Sequence, residues 1–388
     1  MHLRDFDIVI VGAGFYGLTI AERAANVLGR KVCVLERRTH FGGNCFSETD
    51  SETGIEYHKY GSHLFHTNSE EIWEYLHNFT QFTSYRHKVV TVHRGRVYPM
   101  PINLATICAF FECYMSPSAA RALIDQQVSA EGFSAPSNLE EKAISLIGRP
   151  LYDAFIKGYT QKQWQTNPKD LPAGIITRLP VRFTFEDGYF SDRYEGLPVD
   201  GYTAIFERML DSPRIDLRLG VDFFEVRDSI SPCQLIIYTG PIDRYFEFRA
   251  GELGWRTLDF EKEVVAVDDF QGTSVVNYAD VDVPYTRIHE FKHLHPERKY
   301  RPGKTVIYRE HSRSASRDDE PYYPINTIRD KQCFEAYRAM ADRVPNLIMG
   351  GRLGSYKYLD MHQAIGAALK TFRGQVVPFF ARTRGEAA

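Results

Sequence analysis

The sequence lacks the paired-cysteine patterns that build disulfide frameworks or structural zinc sites. Its six cysteines contain no Cys-x-x-Cys pair and are scattered along 388 residues as Cys33, Cys45, Cys108, Cys113, Cys233 and Cys333. Scattered cysteines are typical of reduced thiols, because disulfide-stabilised secreted domains are short and dense in cysteine. We therefore expect a cytoplasmic protein in a reducing compartment.

The sequence also lacks an excess of either charge and any long apolar run. Its 47 Lys and Arg residues nearly balance 50 Asp and Glu residues, so no strongly basic surface predicts binding to nucleic acid. Residues 102–115 are apolar but too short to span a bilayer, and they contain Glu112. We expect no targeting segment, because the first apolar run belongs to a strand pattern. What remains is a globular, enzyme-sized chain with two or three subdomains and no membrane insertion.

What the sequence does contain is a dinucleotide-binding pattern at its start. An apolar strand, residues 7–11, leads into Gly12, Gly14 and Gly17, and a second strand ends at Glu36. In such a turn the first glycine permits the bend, the second lets backbone N–H groups approach a pyrophosphate, and the third lets the helix pack on the strand. The helix N-terminus attracts the phosphates and Glu36 accepts from ribose hydroxyls. The alternative is an ordinary β-turn-α unit.

Two further glycine elements favour FAD over NAD. Gly42 and Gly43 follow Glu36 closely, and paired glycines let the backbone pass near a cofactor. Residues 347–354 form a short strand followed by a glycine turn, as in flavoproteins that close the FAD site with a late strand and helix. A generic strand and turn is the alternative for the second element alone.

The coarse pattern along the chain predicts an α/β fold. We expect a Rossmann-type FAD-binding domain with an inserted helical bundle and an antiparallel β-sheet domain. Within it, residues 178–202 are aromatic and strand-like, and a final helix runs from about Asp360 to Phe372. The predicted domains are 1–85, 203–255 and 331–388 for FAD binding, 100–170 for the helical part with a mobile loop at 165–172, and 86–99, 171–202 and 256–330 for the antiparallel sheet.

Three groups of residues suit chemistry on a nucleotide. His63 and His66 lie three positions apart among glycines and hydroxyls and could approach a flavin edge, although the spacing alone favours two satisfied loop histidines. Tyr159 and Trp164 offer stacking surfaces before the loop, or serve as core anchors. Beyond the loop, an arginine could grip phosphate with two hydrogen bonds; two such arginines with several tyrosines would suit a diphosphate. The arginines and tyrosines of these groups are Arg178, Arg287, Tyr322, Tyr323, Tyr356 and Tyr358.

The segment from His289 to His293 matches the zinc-protease pattern H-E-x-x-H, with His295 close by. That pattern binds zinc only on a helix, where positions i and i+4 share a face. Here it follows a strand pattern and precedes Pro296, and residues four apart on a strand lie about 13 Å apart. We therefore expect no metal site.

Taken together, the motifs resemble the UDP-galactopyranose mutase family, the bacterial type of FAD-dependent enzyme. The resemblance covers essentially the whole chain. It depends on G-A-G-F-Y-G at 12–17, F-G-G-N at 41–44, G-S-H-L-F-H-T at 61–67, Y-T-Q-K-Q-W at 159–164, D-G-Y-F-S-D-R-Y-E-G-L-P at 187–198, P-Y-Y-P at 321–324 and G-R-L-G-S-Y-K-Y-L-D-M at 351–361.

The resemblance implies a role for each matching residue. The implied catalytic residues are Arg178, Arg287 and His63, with His63 against the flavin, His66 close behind it and the two arginines on the diphosphate. The implied cofactor-binding residues are Gly12, Gly14, Phe15, Gly17, Glu36, Arg37, Gly43, Asn44, His63, Arg352, Asp360 and Met361. The implied substrate-binding residues are Phe155, Tyr159, Trp164, Arg178, Tyr189, Asn277, Arg287, Tyr323 and Tyr358. One position departs from the family pattern: His362 stands where relatives often carry an acid.

The implied activity is isomerisation of UDP-galactopyranose to UDP-galactofuranose without net oxidation, in supply of galactofuranose for cell-wall polysaccharides. Our hypothesis for the flavin is that N5 of reduced FAD attacks the anomeric carbon and displaces UDP. By analogy with the family we also expect a homodimer. Two alternatives stay open: an FAD-dependent oxidase or dehydrogenase resembling amine oxidases, and a non-catalytic binding protein resembling GDP-dissociation inhibitors.

Overall fold

The computed structural model describes residues 2–176 and 181–385, and the fold is α/β. The strands are β1 (Ile8–Val11), β2 (Val32–Glu36), β3 (Ser47–Thr49), β4 (Glu56–His58), β5 (Phe65–Thr67), β6 (Val89–His93), β7 (Arg96–Met100), β8 (Tyr194–Gly196), β9 (Ile215–Leu219), β10 (Leu235–Tyr238), β11 (Trp255–Val265), β12 (Val275–Tyr278), β13 (Arg287–Glu290), β14 (Thr305–Ser314), β15 (Tyr323–Pro324) and β16 (Leu347–Met349).

The helices are α1 (Phe15–Leu28), α2 (Glu70–His77), α3 (Leu104–Phe110), α4 (Pro117–Glu131), α5 (Leu139–Ile147), α6 (Arg149–Leu151), α7 (Gly158–Trp164), α8 (Gly201–Leu210), α9 (Phe223–Val226), α10 (Ile242–Tyr245), α11 (Ile328–Ala341), α12 (Gly351–Gly354), α13 (Met361–Thr371) and α14 (Val377–Gly385). Two π-helical turns, Tyr152–Lys157 and Phe372–Val376, precede α7 and α14. Over the described ranges, every helix is too short or too polar to cross a bilayer.

A five-stranded parallel sheet carries the predicted nucleotide-binding turn. Its order is β16-β10-β1-β2-β9, and every neighbouring pair is parallel. Its central strands are apolar on both sides because helices cover both faces: Ile8 packs in the cluster that contains α1 and α13, and Val9 packs with α9. This is the predicted Rossmann-type arrangement, and it places the carboxyl end of β1 at the turn into α1.

A second sheet has seven strands in the order β15-β11-β14-β13-β12-β6-β7. It is antiparallel as predicted except at one pair, where β6 runs parallel to β12. The hairpin β6–β7 returns from the first third of the chain and joins the sheet beside β12, so its direction is set by tertiary pairing rather than by its own turn. The register places Arg287 of β13 opposite Glu310 of β14.

The helical part contains α3 to α7, and α3, α4, α5, α6 and the π-turn after α6 contribute to a separate apolar cluster. Side chains cap its helices: Asn103 accepts from the third residue of α3, Ser116 from α4 and Asn138 from α5. The continuous helical segment from α6 to α7 contains the π-turn, which rotates Phe155 toward the cluster and leaves Tyr159 and Trp164 on the following turns.

Two element predictions need correction. Of the predicted 178–202 segment, residues 178–180 lie outside the described residues and residues 181–193 are not strand; Tyr194–Gly196 pairs with β5, and Pro198 forms an isolated bridge with Phe82. The aromatic side chains of residues 181–193 pack on other side chains instead, since Phe190 stacks on His66 of β5 at 3.7 Å between ring centroids. The final helix does begin beside Asp360, but it continues through the π-turn into α14 and ends at Gly385.

Candidate functional site

A cavity of 1310 Å³ opens at the carboxyl ends of β1, β2 and β10 and reaches across to the seven-stranded sheet. A typical small-molecule pocket holds about 300–1,000 Å³, so this cavity has room for two ligands or one very long ligand. Every predicted cofactor- and substrate-binding residue lines it except Arg178, which lies outside the described residues.

The glycine turn is shaped by close backbone approaches. Gly12 has φ +102°, and a Cβ there would lie 2.0 Å from the Thr239 hydroxyl oxygen. A Cβ on Gly17 would lie 2.1 Å from the Gly12 carbonyl oxygen, so this glycine allows α1 to pack against the turn. Gly14 differs, because the nearest protein atom to its Cβ position is the Cα of Gly43, 3.9 Å away. The space beside Gly14 therefore belongs to the cavity and suits a pyrophosphate.

Glu36 lies at the end of β2, buried at the rim of this turn. One carboxylate oxygen accepts from the Ala13 N–H at 2.9 Å, and the other accepts from the Arg38 N–H at 2.9 Å. These two bonds fix the carboxylate against the glycine turn, and each oxygen keeps a lone pair for a ribose hydroxyl. Arg37 forms an ion pair with Glu320, and Asn44 accepts from Arg38 at 3.0 Å.

Phe15 serves two purposes. It is 5% exposed and packs against Phe206 at 4.6 Å and Tyr202 at 6.5 Å between ring centroids, so it is a core residue that also reaches the cavity wall. Met361, the first residue of α13, likewise packs partly against the same apolar cluster.

His63 is fixed as a neutral side chain. Its Nδ1 lies 2.7 Å from the Gly61 carbonyl oxygen, and its backbone N–H donates to His58 Nδ1 at 2.9 Å. Burial lowers the pKa of His63 to about 4, and burial lowers the pKa of His58 well below its usual range. Because a carbonyl only accepts, Nδ1 carries the proton and Nε2 is an acceptor that faces the cavity.

His66 forms a hydrogen-bonded pair with Asp192 and lies near His362, with 4.9 Å between the two ring centroids. Burial, followed by the charge of His66, lowers the pKa of His362. The Nδ1 atom of His362 is buried and has no hydrogen-bond partner among the residues that the structure describes. Asp192, which sequence reasoning missed, thus connects the 187–198 segment to the segment 61–67, which contains His63 and His66.

The N-terminus of α13 points toward the same part of the cavity. Asp360 is its N-cap residue, and its N–H donates to the Gln363 side chain at 2.9 Å. Arg352 lies beside it, with its guanidinium carbon 5.0 Å from the Tyr358 ring centroid and a hydrogen bond to the Tyr322 carbonyl. The Nε atom of Arg352 is buried without a partner in the described parts of the chain. The Arg352 guanidinium and the positive end of the helix dipole both lie at this corner, and the Arg352 Nε–H is an unused donor.

Arg287 forms an ion pair with the buried carboxylate of Glu310. Its Nε lies 3.2 Å from Glu310 Oε1, and Glu310 Oε2 lies 3.0 Å from His289 Nε2. Burial raises the pKa of Glu310, but Arg287 and His289 outweigh it and hold that pKa at about 2. His289 Nδ1 in turn lies 2.7 Å from the Ser62 hydroxyl, next to His63. The chain Arg287–Glu310–His289–Ser62 thus connects two sides of the cavity.

Sequence reasoning missed Glu310, His289 and Ser62 as site residues. The period of two along a strand could have shown that His289 shares a face with Arg287, two positions earlier. Glu310 carried no such signal, because only the register of β13 against β14 places it opposite Arg287. The H-E-x-x-H segment begins on β13 and continues into a 3-10 turn, Phe291–Leu294.

Aromatic side chains form the opposite wall. Tyr159 accepts a hydrogen bond from Arg287, whose guanidinium carbon lies 5.9 Å from the Tyr159 ring centroid. Phe155 is 5% exposed and packs edge-on against Tyr98, so it is mainly a core residue at the cavity floor. Trp164 has no ring partner among the described residues, which leaves its faces available for a base.

Polar groups without partners complete this wall. Asn277 Oδ1 is buried and has no hydrogen-bond partner among the described residues. Tyr189 and Tyr358 are 43% and 52% exposed at the cavity rim, and Tyr323 lies 5.4 Å from Tyr358 between ring centroids. Over the described ranges, the hydroxyls of these three tyrosines likewise bond to no other residue, so they can donate to a ligand.

The buried histidines predict a loss of stability in mild acid. Burial lowers the pKa of His87 to about 3, whereas the unfolded side chain titrates near 6.5. The unfolded chain therefore binds more protons below pH 6.5, and the stability due to neutral His87 is present above that pH and falls as the pH drops toward 3. Between pH 7 and pH 5 the loss is about 2 kcal/mol.

Urea unfolding of the parent and of His87→Gln at both pH values measures this contribution. We expect the gap in unfolding free energy between the two proteins to shrink by about 2 kcal/mol on going from pH 7 to pH 5. A gap that stays the same at both pH values would mean that His87 is not held neutral by the fold.

Comparison with known proteins gives consistent matches. A family model described as UDP-galactopyranose mutase matches residues 154–358, and one described as an NAD(P)-binding Rossmann-like domain matches residues 10–79. The chain is 42% identical to a probable UDP-galactopyranose mutase of Klebsiella pneumoniae, over 95% of this chain and 94% of the relative. It is 38% identical to the dTDP-fucopyranose mutase of Escherichia coli, over 94% of this chain and 96% of the relative.

The fold also matches a solved structure. A crystal structure of reduced UDP-galactopyranose mutase superposes with a TM-score of 0.74 at 15% identity, covering 95% of this chain and 93% of the other. Two of these relatives act on sugars linked to different nucleotides, according to their names. The comparisons therefore agree on the class of reaction, but they do not agree on the nucleotide that the sugar substrate carries.

Proposed function

The chain belongs to the UDP-galactopyranose mutase family, and on this premise we propose that it interconverts UDP-galactopyranose and UDP-galactofuranose with a bound FAD. The single observation that carries the proposal is the cavity itself. It joins a dinucleotide-binding turn to a wall that suits a nucleoside diphosphate, with Arg287 on one side and His63 on the other.

The residues present fit a flavin. The space beside Gly14 suits the pyrophosphate and the Glu36 carboxylate suits the adenosine ribose. At the other end, the N-terminus of α13 and the unpartnered Nε of Arg352 offer positive potential for the pyrimidine edge of an isoalloxazine. When bound and reduced, FAD supplies a nucleophilic nitrogen, N5, for displacement of UDP from the sugar.

The protein's own residues bind and orient the substrate. Arg287 has donors left beyond its contacts to Glu310 and Tyr159, and these grip the diphosphate and stabilise the charge that develops when UDP leaves. The rim hydroxyls of Tyr189, Tyr323 and Tyr358 donate to the same phosphates. We assign a second diphosphate contact to Arg178, on the strength of the family pattern alone.

His63 can hold a proton at a defined atom. Because Nδ1 donates to the Gly61 carbonyl, its Nε2 is a neutral acceptor toward the cavity. A low pKa keeps it neutral across the physiological range, so it accepts a hydrogen bond without adding positive charge. The Glu310–His289–Ser62 chain keeps the His63 loop in a fixed position relative to Arg287.

The base wall consists of Tyr159, Trp164 and Asn277. The faces of Trp164 suit stacking on uracil, and the unpartnered Asn277 oxygen suits an N–H donor of the base or a ribose hydroxyl. The segment 165–172 then covers the nucleotide and excludes water from the reacting centre. Homodimer formation, a cytoplasmic location and the division into three domains stay predictions.

Direct comparison of two substrates tests the nucleotide assignment. Reduced protein is supplied with UDP-galactofuranose or with dTDP-fucofuranose, and the pyranose product is quantified by chromatography. We expect a kcat/KM at least tenfold higher for the UDP-sugar. A preference for the dTDP-sugar would keep the reaction class and overturn the substrate, whereas conversion of neither would overturn the proposed isomerase.

A further inference from the structure

Arg256, near the start of β11, is a buried cation without an acid. It is 1% exposed, and no carboxylate lies within ion-pair distance among the residues that the structure describes. Burial lowers the pKa of this guanidinium to about 10, which leaves it charged at physiological pH. An unpaired buried charge is costly, so a position that retains one has a specific use for its donors.

The donors of Arg256 converge on the end of α7. Its Nε donates to the Gln163 carbonyl at 3.1 Å, and one terminal nitrogen donates to the Gln165 side-chain oxygen at 3.3 Å. The remaining bonds go to the hydroxyls of Ser314 at 2.8 Å and Ser312 at 3.1 Å on the neighbouring strand. Carbonyls at a helix C-terminus carry partial negative charge, and they take the place of the missing acid.

The same two serines also bind the end of α7 directly, and together with Arg256 they form one hydrogen-bonded network. Ser312 donates its hydroxyl to the Gln163 carbonyl at 2.6 Å, and the Ser314 N–H donates to the Gln165 side chain at 3.3 Å. Gln165 has φ +49°, an unusual left-handed conformation for glutamine that ends the helix. Trp164 lies between the two residues held in this way, so its backbone is fixed on both sides.

We propose that Arg256 is a positioning residue for the nucleotide: by binding the C-terminal end of α7, it sets the orientation of Trp164 and the starting point of the segment 165–172. The inference rests on the proposed function, since it assigns Trp164 to the uracil. Arg256 itself does not line the cavity; it acts through Gln163 and Gln165.

The position of Arg256 connects both walls of the nucleotide site. Its main chain pairs with Tyr323 of β15, and its carbonyl accepts from the Tyr322 N–H at 2.8 Å. One residue therefore fixes the helix end beside the base and the strand that carries a phosphate-facing tyrosine. The far end of the segment is held elsewhere, because the Leu171 carbonyl accepts from the first residue of α5 at 2.9 Å.

The test compares Arg256→Met with Arg313→Met in the FAD-loaded protein. Arg313 lies on β14 of the same sheet, but on the face opposite to that of Arg256, and it pairs there with Asp259 and Asp319. Each variant is assayed for UDP affinity by calorimetry, for FAD absorbance, and for the rate of tryptic cleavage after the exposed Lys169. The UDP affinity of Trp164→Ala shows how much affinity is lost when the stacking side chain is absent.

We expect Arg256→Met to bind UDP at least tenfold more weakly than the parent and to be cleaved faster by trypsin at Lys169. Added UDP should slow this cleavage less in the variant than in the parent. FAD absorbance should be unchanged, and Arg313→Met should resemble the parent. Should Arg256→Met not fold, Gln165→Asn gives the same test, because asparagine tolerates the left-handed conformation but its amide is too short to reach Arg256.

The outcomes separate the two claims. Parental UDP affinity and cleavage rate in Arg256→Met, or in Gln165→Asn if only that variant folds, would overturn the positioning role. Failure of the parent protein to bind UDP would instead overturn the proposed function. Weaker UDP binding by Arg256→Met, together with an affinity close to the parental value in Arg256→Lys, would support the proposal. Lysine keeps the positive charge and part of the hydrogen bonding.

Discussion

Replacing Arg287 by alanine is expected to lower turnover of UDP-galactofuranose by several hundredfold and to leave FAD bound. Removing one group that stabilises charge on a leaving oxygen typically costs about 3–4 kcal/mol of activation free energy. Arg287 touches no part of the dinucleotide turn, so the flavin absorbance should stay. Steady-state turnover and the visible spectrum of the same preparation measure both effects. The sequence predicts the same result for Arg178.

The arginine also neutralises Glu310, so its loss has a second consequence. Glu310 is 2% exposed. Without Arg287, its carboxylate would keep two side-chain partners, His289 and Thr286. An unpaired buried charge costs about 3–5 kcal/mol, which by itself could reduce activity through unfolding.

Two controls separate chemistry from stability. The double variant Arg287→Ala with Glu310→Gln removes the unpaired charge, and we expect it to recover thermal stability but not turnover. Arg309→Ala removes an arginine of β14 that pairs with Glu263 and does not line the cavity. Turnover near the parental level in the stabilised double variant would show that Arg287 does not bind the diphosphate.

Replacing Gly14 by valine is expected to give a folded, colourless protein. Gly14 has φ −88° and ψ −179°, which any residue adopts, and the nearest protein atom to a Cβ there is 3.9 Å away. The backbone therefore accepts a β-carbon at this position, whereas the pyrophosphate that we assign to the same space leaves no room for a side chain. Loss of FAD absorbance with near-parental circular dichroism is the expected result.

Gly374→Val is the matched control, because Gly374 also has open space around its Cβ position and does not line the cavity; it lies in the π-turn before α14. It should keep its flavin. A Gly14→Val protein that stays yellow would show that the dinucleotide does not cross this turn, and the cofactor site would have to lie elsewhere in the cavity.

The sequence predicted the dinucleotide turn well because every part of that signal is local. Gly12, Gly14 and Gly17 each meet a requirement of the turn within a few residues, and Glu36 follows at the end of the next strand. Parallel strands then bring the carboxyl ends together, so the position of this half of the site follows from the strand order.

The buried chain behind Arg287 could not be predicted in the same way. Arg287 and Glu310 are separated by 23 residues, and only the register of β13 against β14 places them together. Ser62 and His289 are separated by 227 residues. Such contacts depend on how distant segments pack, and a single sequence contains no local pattern for them.

Residues 181–193 show the opposite failure. Aromatic residues favour strands by intrinsic propensity, and the segment was predicted as strand for that reason. In the structure Phe190 and Tyr189 pack on His66 and His87 at the cavity rim, and strand pairing begins only at Tyr194. A strand needs a neighbour to pair with, and this segment instead contributes side chains to the site.

The most direct test of the account is turnover of UDP-galactofuranose by the FAD-loaded protein with and without dithionite, followed by chromatography of the two UDP-sugars. The account predicts conversion to UDP-galactopyranose only after reduction. Equal conversion in both states would contradict the role of the reduced flavin. No conversion in either state, with FAD bound, would contradict the isomerase and favour an oxidase on the same fold.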